Sequence, residues 1–328
     1  MSNRSVQVHR TAFYQRASRW LLRVPQPVLI VDWSELKRDG RWHLLRVSVV
    51  ARGRAMTVYE EVHPTRLLGN PAVEAAFLRR LHAVLPKGVR PIVVTDAGFR
   101  VPWFHAVEEL GWHWLGRVRH RSRVRFSRDT PWMPSRDLYA QATRRAVSLG
   151  EVELTESKCF ACCLVLVRRA PKGRVHRTRL GTRAKGGYSR KVAKREREPW
   201  LLAYSRSLSE LPAAHIAALY GKRMQIELSF RDLKSHRFGA AFEDTLTRDA
   251  PRLEMLLLIH ALAILAAWLE GVAVKSTTLG LQASAPCGKQ KHSVVWLGWE
   301  SLRRRHGILS PPAPDAVRRL RNLLVNAA

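Results

Sequence analysis

Two short apolar runs, each ending in an aspartate, constrain this chain more than any other feature of its sequence. The first is Val28–Asp32 and the second is Ile92–Asp96, and prolines precede both. Each run is too short for a helix, so both predict buried strands. A carboxylate at the end of such a strand is most often a cap or turn residue. A pair of them in one chain also fits a binding site, because an unpaired charge is costly next to an apolar core.

The elements around these runs predict one fold. Asp39-Gly40 predicts a hairpin turn, and the helical spacing of apolar residues over 71–85 predicts a helix. The other predicted elements are the strands Trp42–Val50 and Ala55–Val62, the helix Pro102–Leu110 and the strand Trp112–Val118. The order β-β-β-α-β-α-β is that of a ribonuclease-H-like fold. We therefore predict an α/β core, with a mixed sheet and flanking helices.

The charge of the chain indicates its partner. The 328 residues include 57 Lys and Arg against 26 Asp and Glu, giving a net charge of +31, while 46% are hydrophobic. A chain with this apolar fraction can bury a core, which excludes wholesale disorder. Nucleic acid is the usual polyanion that neutralises such an excess of positive charge.

A basic segment interrupts the core pattern after residue 118. Arginines at every second position from Arg117 to Arg125 predict one charged face of a strand, and residues 168–197 contain 13 Lys or Arg and a single acid, Glu196. Either a solvated charge run or a contact with phosphate backbone explains this density. We predict DNA contacts at Arg119, Arg121 and Arg123.

A predicted helix from about Pro212 to Arg237 carries four polar residues on one stripe. Tyr220, Arg223, Glu227 and Lys234 fall within about 60° of one another at 100° per residue. An ordinary exposed face would also suit the Arg223–Glu227 spacing, which allows an i,i+4 salt bridge.

This spacing resembles the Tyr-Arg-Glu-Lys signature of cut-and-paste insertion-sequence transposases with a DDE active site. Val31–Ser34 and Val94–Phe99 are similar to the first and second Asp motifs of that family, and the resemblance covers residues 25–270. Glu227 follows Asp96 by 131 positions, and this interval corresponds to the place where the family has a β-rich insertion domain.

The resemblance implies a catalytic and metal-binding triad of Asp32, Asp96 and Glu227, with Mg²⁺ or Mn²⁺ as cofactor. It implies that Tyr220, Arg223 and Lys234 bind the cleaved DNA end. Trp200 is similar to the family tryptophan that stacks on a flipped base, although a plain core tryptophan at a strand start explains it equally well. The implied partners are double-stranded DNA at transposon ends and target, and a second copy of the chain in a synaptic dimer.

The predicted organisation has five parts. They are a basic N-terminal helix over 1–24 (a remnant of a DNA-binding region), the first part of the core over 25–118, a basic β-rich insertion over 119–199, the second part of the core over 200–275, and a basic tail over 276–328 with a helix from about Asp315. The family normally has a separate DNA-binding domain before the first Asp motif, and only 31 residues precede Asp32.

No membrane span is expected, since the apolar run Met255–Leu269 is short for a bilayer and predicts a buried helix. The four cysteines do not suggest a disulfide framework, which favours a reducing cytosol, and the family resemblance implies a bacterial cytoplasm with the protein at the nucleoid. Two other functions remain open: a different ribonuclease-H-like nuclease such as a junction resolvase, and a non-catalytic DNA-binding remnant of a transposase.

Overall fold

The computed structural model describes residues 7–51, 54–119, 122–170, 182, 186–187, 198–236, 239–275 and 293–304. The chain divides into two compact units. Unit 1 consists of residues 1–93 and 222–328, and unit 2 consists of residues 94–221. The helix predicted from Asp315 and the residue Arg121 lie outside the described residues.

Three long strands form the antiparallel part of unit 1. They are β1 (Val28–Glu35), β2 (Trp42–Ala51) and β3 (Arg54–Pro64), with β2 between the other two. The prediction that β1 ends at Asp32 is wrong, because Trp33, Ser34 and Glu35 continue to pair with β2. Asp32 therefore lies within the strand, directly opposite Arg46.

Five helices complete unit 1 in the part of the chain that the structure describes. They are α1 (Arg10–Leu21), α2 (Pro71–Val84), α5 (Met224–Lys234), α6 (Ala250–Lys275) and α7 (Val294–Arg303). The predicted N-terminal helix is confirmed, and it buries Tyr14 and Leu21 against the core. The predicted helix over 71–85 is also confirmed; its N-cap Asn70 accepts hydrogen bonds from two backbone N–H groups.

Helix α6 is the apolar helix predicted around Met255–Leu269. The segment Ala250–Val274 is long and apolar enough to cross a membrane by length and composition alone. Half of its most apolar 18-residue stretch is buried inside the protein. It packs against β3 and α7. These contacts fit a core helix, which passes the same length and composition test.

The strand β4 (Ile92–Thr95) begins in unit 1 and ends in unit 2. In unit 1 it follows β1 in the strand order, and the Ile92 N–H donates to the Pro27 carbonyl at 2.9 Å. All four residues of β4 are buried, as the apolar run predicts.

Unit 2 continues the strand order as β4-β5-β10-β9-β8-β6-β7. Its strands are β5 (His113–Val118), β6 (Arg123–Arg125), β7 (Met133–Pro134), β8 (Val147–Leu154), β9 (Phe160–Val167) and β10 (Trp200–Tyr204). Its helices are α3 (Val101–Glu109) and α4 (Ala213–Gly221). The strand-like runs predicted over 149–169 are confirmed as β8 and β9, which pair with each other as antiparallel strands.

The single helix predicted from Pro212 to Arg237 is wrong. The structure has two helices, α4 and α5, and the chain turns at Lys222 and Arg223 between them. Gly221 ends α4, and glycine has low helix propensity. The carbonyls of Lys222 and Arg223 accept hydrogen bonds from residues three positions on, which is the tighter 3₁₀ pattern.

Candidate active site

One guanidinium joins two of the predicted acids in unit 1. Arg223 Nη1 lies 3.2 Å from Asp32 Oδ2, and Arg223 Nη2 donates to Glu227 Oε1 at 2.7 Å. The side chains of Asp32 and Arg223 are 16% and 14% exposed, and that of Glu227 is 39% exposed. Residues that are 191 positions apart in sequence thus meet at one partly buried point.

Local structure fixes each of these three side chains. Asp32 is held within β1, and its Oδ1 also accepts the N–H of Trp33 at 2.9 Å. Trp33 is anchored by its indole N–H, which donates to Glu74 Oε1 on α2 at 3.0 Å. Glu227 lies in the first turn of α5, where a negative charge is favoured by the helix dipole, and Arg223 immediately precedes that helix.

The two carboxylates carry one negative charge more than the guanidinium between them. Hard carboxylate oxygens are the ligands that Mg²⁺ and Mn²⁺ prefer, so the donor chemistry of Asp32 and Glu227 fits such an ion. Among the described residues no group of three or more His, Cys, Asp or Glu side chains is arranged to hold a metal ion. The pair in unit 1 would therefore supply two ligands to such an ion, and a complete site would need a further one.

Lys234, the last residue of the predicted signature, lies at the end of α5. Burial lowers the pKa of its ammonium group, while the carboxylates of Glu243 and Glu35 oppose that shift. Lys234 lies seven residues, about two turns, beyond Glu227 on the same helix.

Asp96 lies in unit 2, directly after β4. Its Oδ1 accepts the N–H of Gly98 at 2.7 Å, so the carboxylate closes a short turn. A Cβ atom at position 98 would lie 2.9 Å from the same oxygen, which is too close for an unstrained contact. The Gly98 N–H thus holds the Asp96 carboxylate by a backbone contact, and a side chain at position 98 would displace that carboxylate.

The aromatic residues of the prediction meet in unit 2. The ring of Trp200, at the start of β10, lies edge-on to the ring of Tyr220, with centroids 4.9 Å apart and an interplanar angle of 74°. The guanidinium of Arg169 lies 5.1 Å from the Trp200 centroid. Tyr220 is buried and Trp200 is partly exposed. Stacking of Trp200 on a DNA base stays a prediction.

The five alternating arginines do not share one strand, so that prediction is wrong. Arg117 lies on β5, which pairs with β10, whereas Arg123 and Arg125 lie on β6, which pairs with β8. Arg119 lies 3.9 Å from a carboxylate oxygen of Glu198.

The members of the former stripe have different environments. Arg125 is paired with Glu153 in the neighbouring strand. Arg123 is half exposed, forms an ion pair with Glu156 at 3.3 Å and donates to the Trp132 carbonyl at 2.7 Å. Among these arginines, a side chain must be at least partly exposed to reach a DNA phosphate. The basic surface is therefore smaller than the sequence pattern suggested.

The sequence patterns did not identify two charged residues that lie next to the site. Arg46 on β2 and Glu60 on β3 are buried within otherwise apolar runs, at 1% and 0% exposure. Their signal was present, since a charge in the middle of a buried strand needs a partner. Sequence alone could not identify that partner, because neither strand's sequence determines which residues of the two strands lie opposite each other.

Three antiparallel strands followed by alternating helices and strands, with an acid on the first strand and another after the fourth, define an α/β core of the ribonuclease-H-like class. This confirms the predicted fold class. The chain belongs to the transposase DDE domain family, of which a model matches residues 24–265. The predicted family is thereby confirmed. A search of curated proteins finds no match to the chain.

Proposed function

We propose that this protein cleaves DNA strands at transposon ends in a metal-dependent reaction and joins the freed ends to target DNA. Membership of the transposase family supports the general function. The observation that carries the more specific proposal is the Asp32–Arg223–Glu227 contact in unit 1. Two acids of the predicted triad and one residue of the predicted signature meet there, although they come from distant parts of the sequence.

In this proposal Asp32, Asp96 and Glu227 hold Mg²⁺ or Mn²⁺. When bound, such a pair of ions activates an attacking water or 3′-hydroxyl and stabilises the leaving oxygen. The protein residues would orient the phosphodiester. The fixed turn at Gly98 supports this role for Asp96, because it leaves the carboxylate little freedom to reorient.

Arg223 has two successive tasks in this scheme. In the DNA-free protein its guanidinium offsets one of the two negative charges of Asp32 and Glu227 and bridges the two side chains. When a DNA end enters, the planar fork of the guanidinium can bind a phosphate through two parallel hydrogen bonds. Tyr220 and Lys234 would hold the same end, and Trp200 would stack on a base.

The proposed partners are double-stranded DNA and a second copy of the chain in a synaptic dimer. Arg119, Arg121 and Arg123 would contact the phosphate backbone outside the cleavage point, so they would add affinity without base specificity. The proposed location is the bacterial cytoplasm, at the nucleoid.

The test is metal-dependent nicking of a transposon-end duplex by wild type and Glu227→Gln. The substitution keeps the size of the side chain and removes its charge. We expect the nicking rate to fall by about 10³-fold or more, while DNA binding is kept or slightly strengthened, because one negative charge near phosphate is gone. Glu109→Gln, on the exposed side of α3, is the matched control and should nick as wild type does.

Four results distinguish the functions. Nicking by wild type that is lost in Glu227→Gln supports the transposase mechanism. Equal nicking by both proteins would remove Glu227 from the site. DNA binding without nicking by wild type, at high protein concentration and with both ends present, would identify a non-catalytic remnant, and preferential cleavage of four-way junctions would identify a resolvase.

A further inference from the structure

A row of three charged residues crosses the sheet of unit 1 beside the candidate site. Asp32 on β1 lies opposite Arg46 on β2, and Arg46 lies opposite Glu60 on β3. Residues that pair directly across antiparallel strands project from the same face of a sheet. The acid of the site and the buried pair therefore share one face.

Arg46 and Glu60 form a fully buried ion pair. Arg46 Nε lies 2.7 Å from Glu60 Oε2, and the two side chains are 1% and 0% exposed. The other carboxylate oxygen of Glu60 accepts a hydrogen bond from the Tyr14 hydroxyl on α1 at 3.0 Å. Both carboxylate oxygens of Glu60 thus accept hydrogen bonds, and Glu60 in turn fixes the position of the Arg46 guanidinium.

The far end of Arg46 reaches the helix that carries Glu227. Its Nη1 donates to Ser229 Oγ at 3.4 Å, and its guanidinium lies 5.3 Å from the centroid of the Phe230 ring. Ser229 and Phe230 follow Glu227 by two and three residues on α5. Ser229 Oγ in turn donates to the Ile226 carbonyl at 2.8 Å, which fixes its rotamer.

A second arginine of the sheet contacts the same helix one turn further on. Arg54 of β3 lies 3.1 Å from Asp232 of α5, and each side chain is 10% exposed. Burial raises the pKa of Asp232, and the arginines Arg54, Arg231 and Arg46 oppose that shift. Helix α5 is therefore docked on the sheet by two buried guanidiniums in addition to apolar side chains.

We infer that Arg46 is a positioning residue of the reaction, which sets the rotation and height of α5 and thereby the place of Glu227 relative to Asp32. This inference rests on the proposed function of those two acids. A buried ion pair contributes no more to stability than apolar side chains of similar volume, so stability alone does not account for the pair. Apolar contacts tolerate sliding of a helix, whereas the Ser229 contact and the Asp232 ion pair are satisfied in only one register.

The test removes the polar network without leaving a buried charge. The triple variant Tyr14→Phe, Arg46→Met and Glu60→Leu replaces each polar member by an apolar residue of similar size. The matched control is Tyr59→Phe, Arg80→Met and Glu61→Leu. It removes a second Tyr–Arg–Glu network, in which Glu61 follows Glu60 on β3 and projects from the opposite face. Ser229→Ala is a milder variant that removes only the hydroxyl contact.

Two measurements are made on the full chain. Hydrogen exchange should become about tenfold faster or more in the amides of α5 in the Arg46 triple variant, while exchange in β1 stays as in wild type. The kcat of nicking should fall by about tenfold or more with KM within about twofold, because a misplaced acid affects the reaction more than DNA binding. Ser229→Ala should change both quantities in the same direction by less, and the control should leave unchanged both the kcat and the difference in exchange between α5 and β1.

Several outcomes would overturn the inference. They are unchanged protection of α5, an equal loosening of β1 and α5, or a loosened α5 with unchanged kcat. If the triple variant does not fold, Ser229→Ala decides by the same criteria. If wild type does not nick at all, the proposed function fails, and exchange in α5 alone decides whether Arg46 fixes the helix.

Discussion

A guanidinium can hold two carboxylates at once because its N–H groups point in fixed directions from a plane. Arg223 uses that geometry with Asp32 and Glu227. The spacing of Arg223 and Glu227 predicted their i,i+4 contact from sequence, since both lie on nearly the same side of a helical turn. Their contact with Asp32 rests on the family resemblance instead, because nothing in the local sequence links residues so far apart.

Glu61 gives a prediction on acid stability at the scale of one residue. Burial raises the pKa of its carboxyl, but hydrogen bonds from His63, Arg80 and Tyr59 outweigh burial and lower it to about 2. The folded state thus favours the charged form, so its contribution is present above pH 4.5 and is lost as the pH falls from about 4.5 to about 2.

The measurement is the free energy of unfolding of wild type and Glu61→Gln between pH 2 and pH 6. Wild type should exceed the variant by an amount on the order of 3 kcal/mol near pH 6, and the gap should close towards pH 2. Glu109→Gln, with an exposed acid, should follow wild type throughout. Curves that stay parallel over the whole range would contradict the lowered pKa.

At the scale of elements, sequence patterns predicted those strands and helices that are determined by local residues. The strand β4 and the helices α1 and α2 follow from apolar runs and helical spacing, and the structure has them where expected. Patterns were misleading where distant partners decide. Pairing with β2 carries β1 past Asp32, and separate pairing partners divide the stripe of arginines between β5 and β6.

The crossing of α6 and α7 leads to a prediction on packing. Added methyl groups would collide with the Ala267 carbonyl at Gly298 and with the Val294 carbonyl at Gly271, so both glycines allow the two backbones to touch. Gly298→Ala must push the helices apart, and we expect it to lower the free energy of unfolding by about 1–3 kcal/mol.

Chemical denaturation of the full chain provides the measurement, with Gly221→Ala as control. A methyl group at Gly221, the last residue of α4, would meet nothing within 4 Å. Since alanine favours helix, the control should be neutral or more stable by up to about 1 kcal/mol. A Gly298→Ala protein as stable as wild type would show that α6 and α7 separate without cost.

At the scale of the whole molecule, the net charge of +31 dominates encounters with DNA. Each phosphate contact releases counterions, so log affinity falls with log salt in proportion to the number of contacts. Joint neutralisation of Arg119, Arg121 and Arg123 by glutamine should weaken binding to unrelated duplexes alike and reduce this slope by at most about 2.7. Because Arg119 and Arg123 also face Glu198 and Glu156, we expect a smaller reduction than that limit.

Binding titrations at four or more salt concentrations check this expectation. A single Arg38→Gln protein is the control, since Arg38 is 77% exposed in unit 1 and paired with Glu243. An unchanged slope in the triple variant would mean that these arginines are only a solvated surface.

Because unit 1 is built from two separate stretches of chain, the order of synthesis determines when its parts can come together. Unit 2 is one continuous stretch of chain, whereas unit 1 needs residues on both sides of it. At about 5–20 residues per second, a ribosome takes roughly 10–40 s to proceed from Asp32 to Arg223. During that interval the newly made β1 lacks α5, so Asp32 cannot yet meet Arg223 and Glu227. The contact of Asp32 with a residue made 191 positions later delays assembly of the candidate site until about two thirds of the 328 residues have been made.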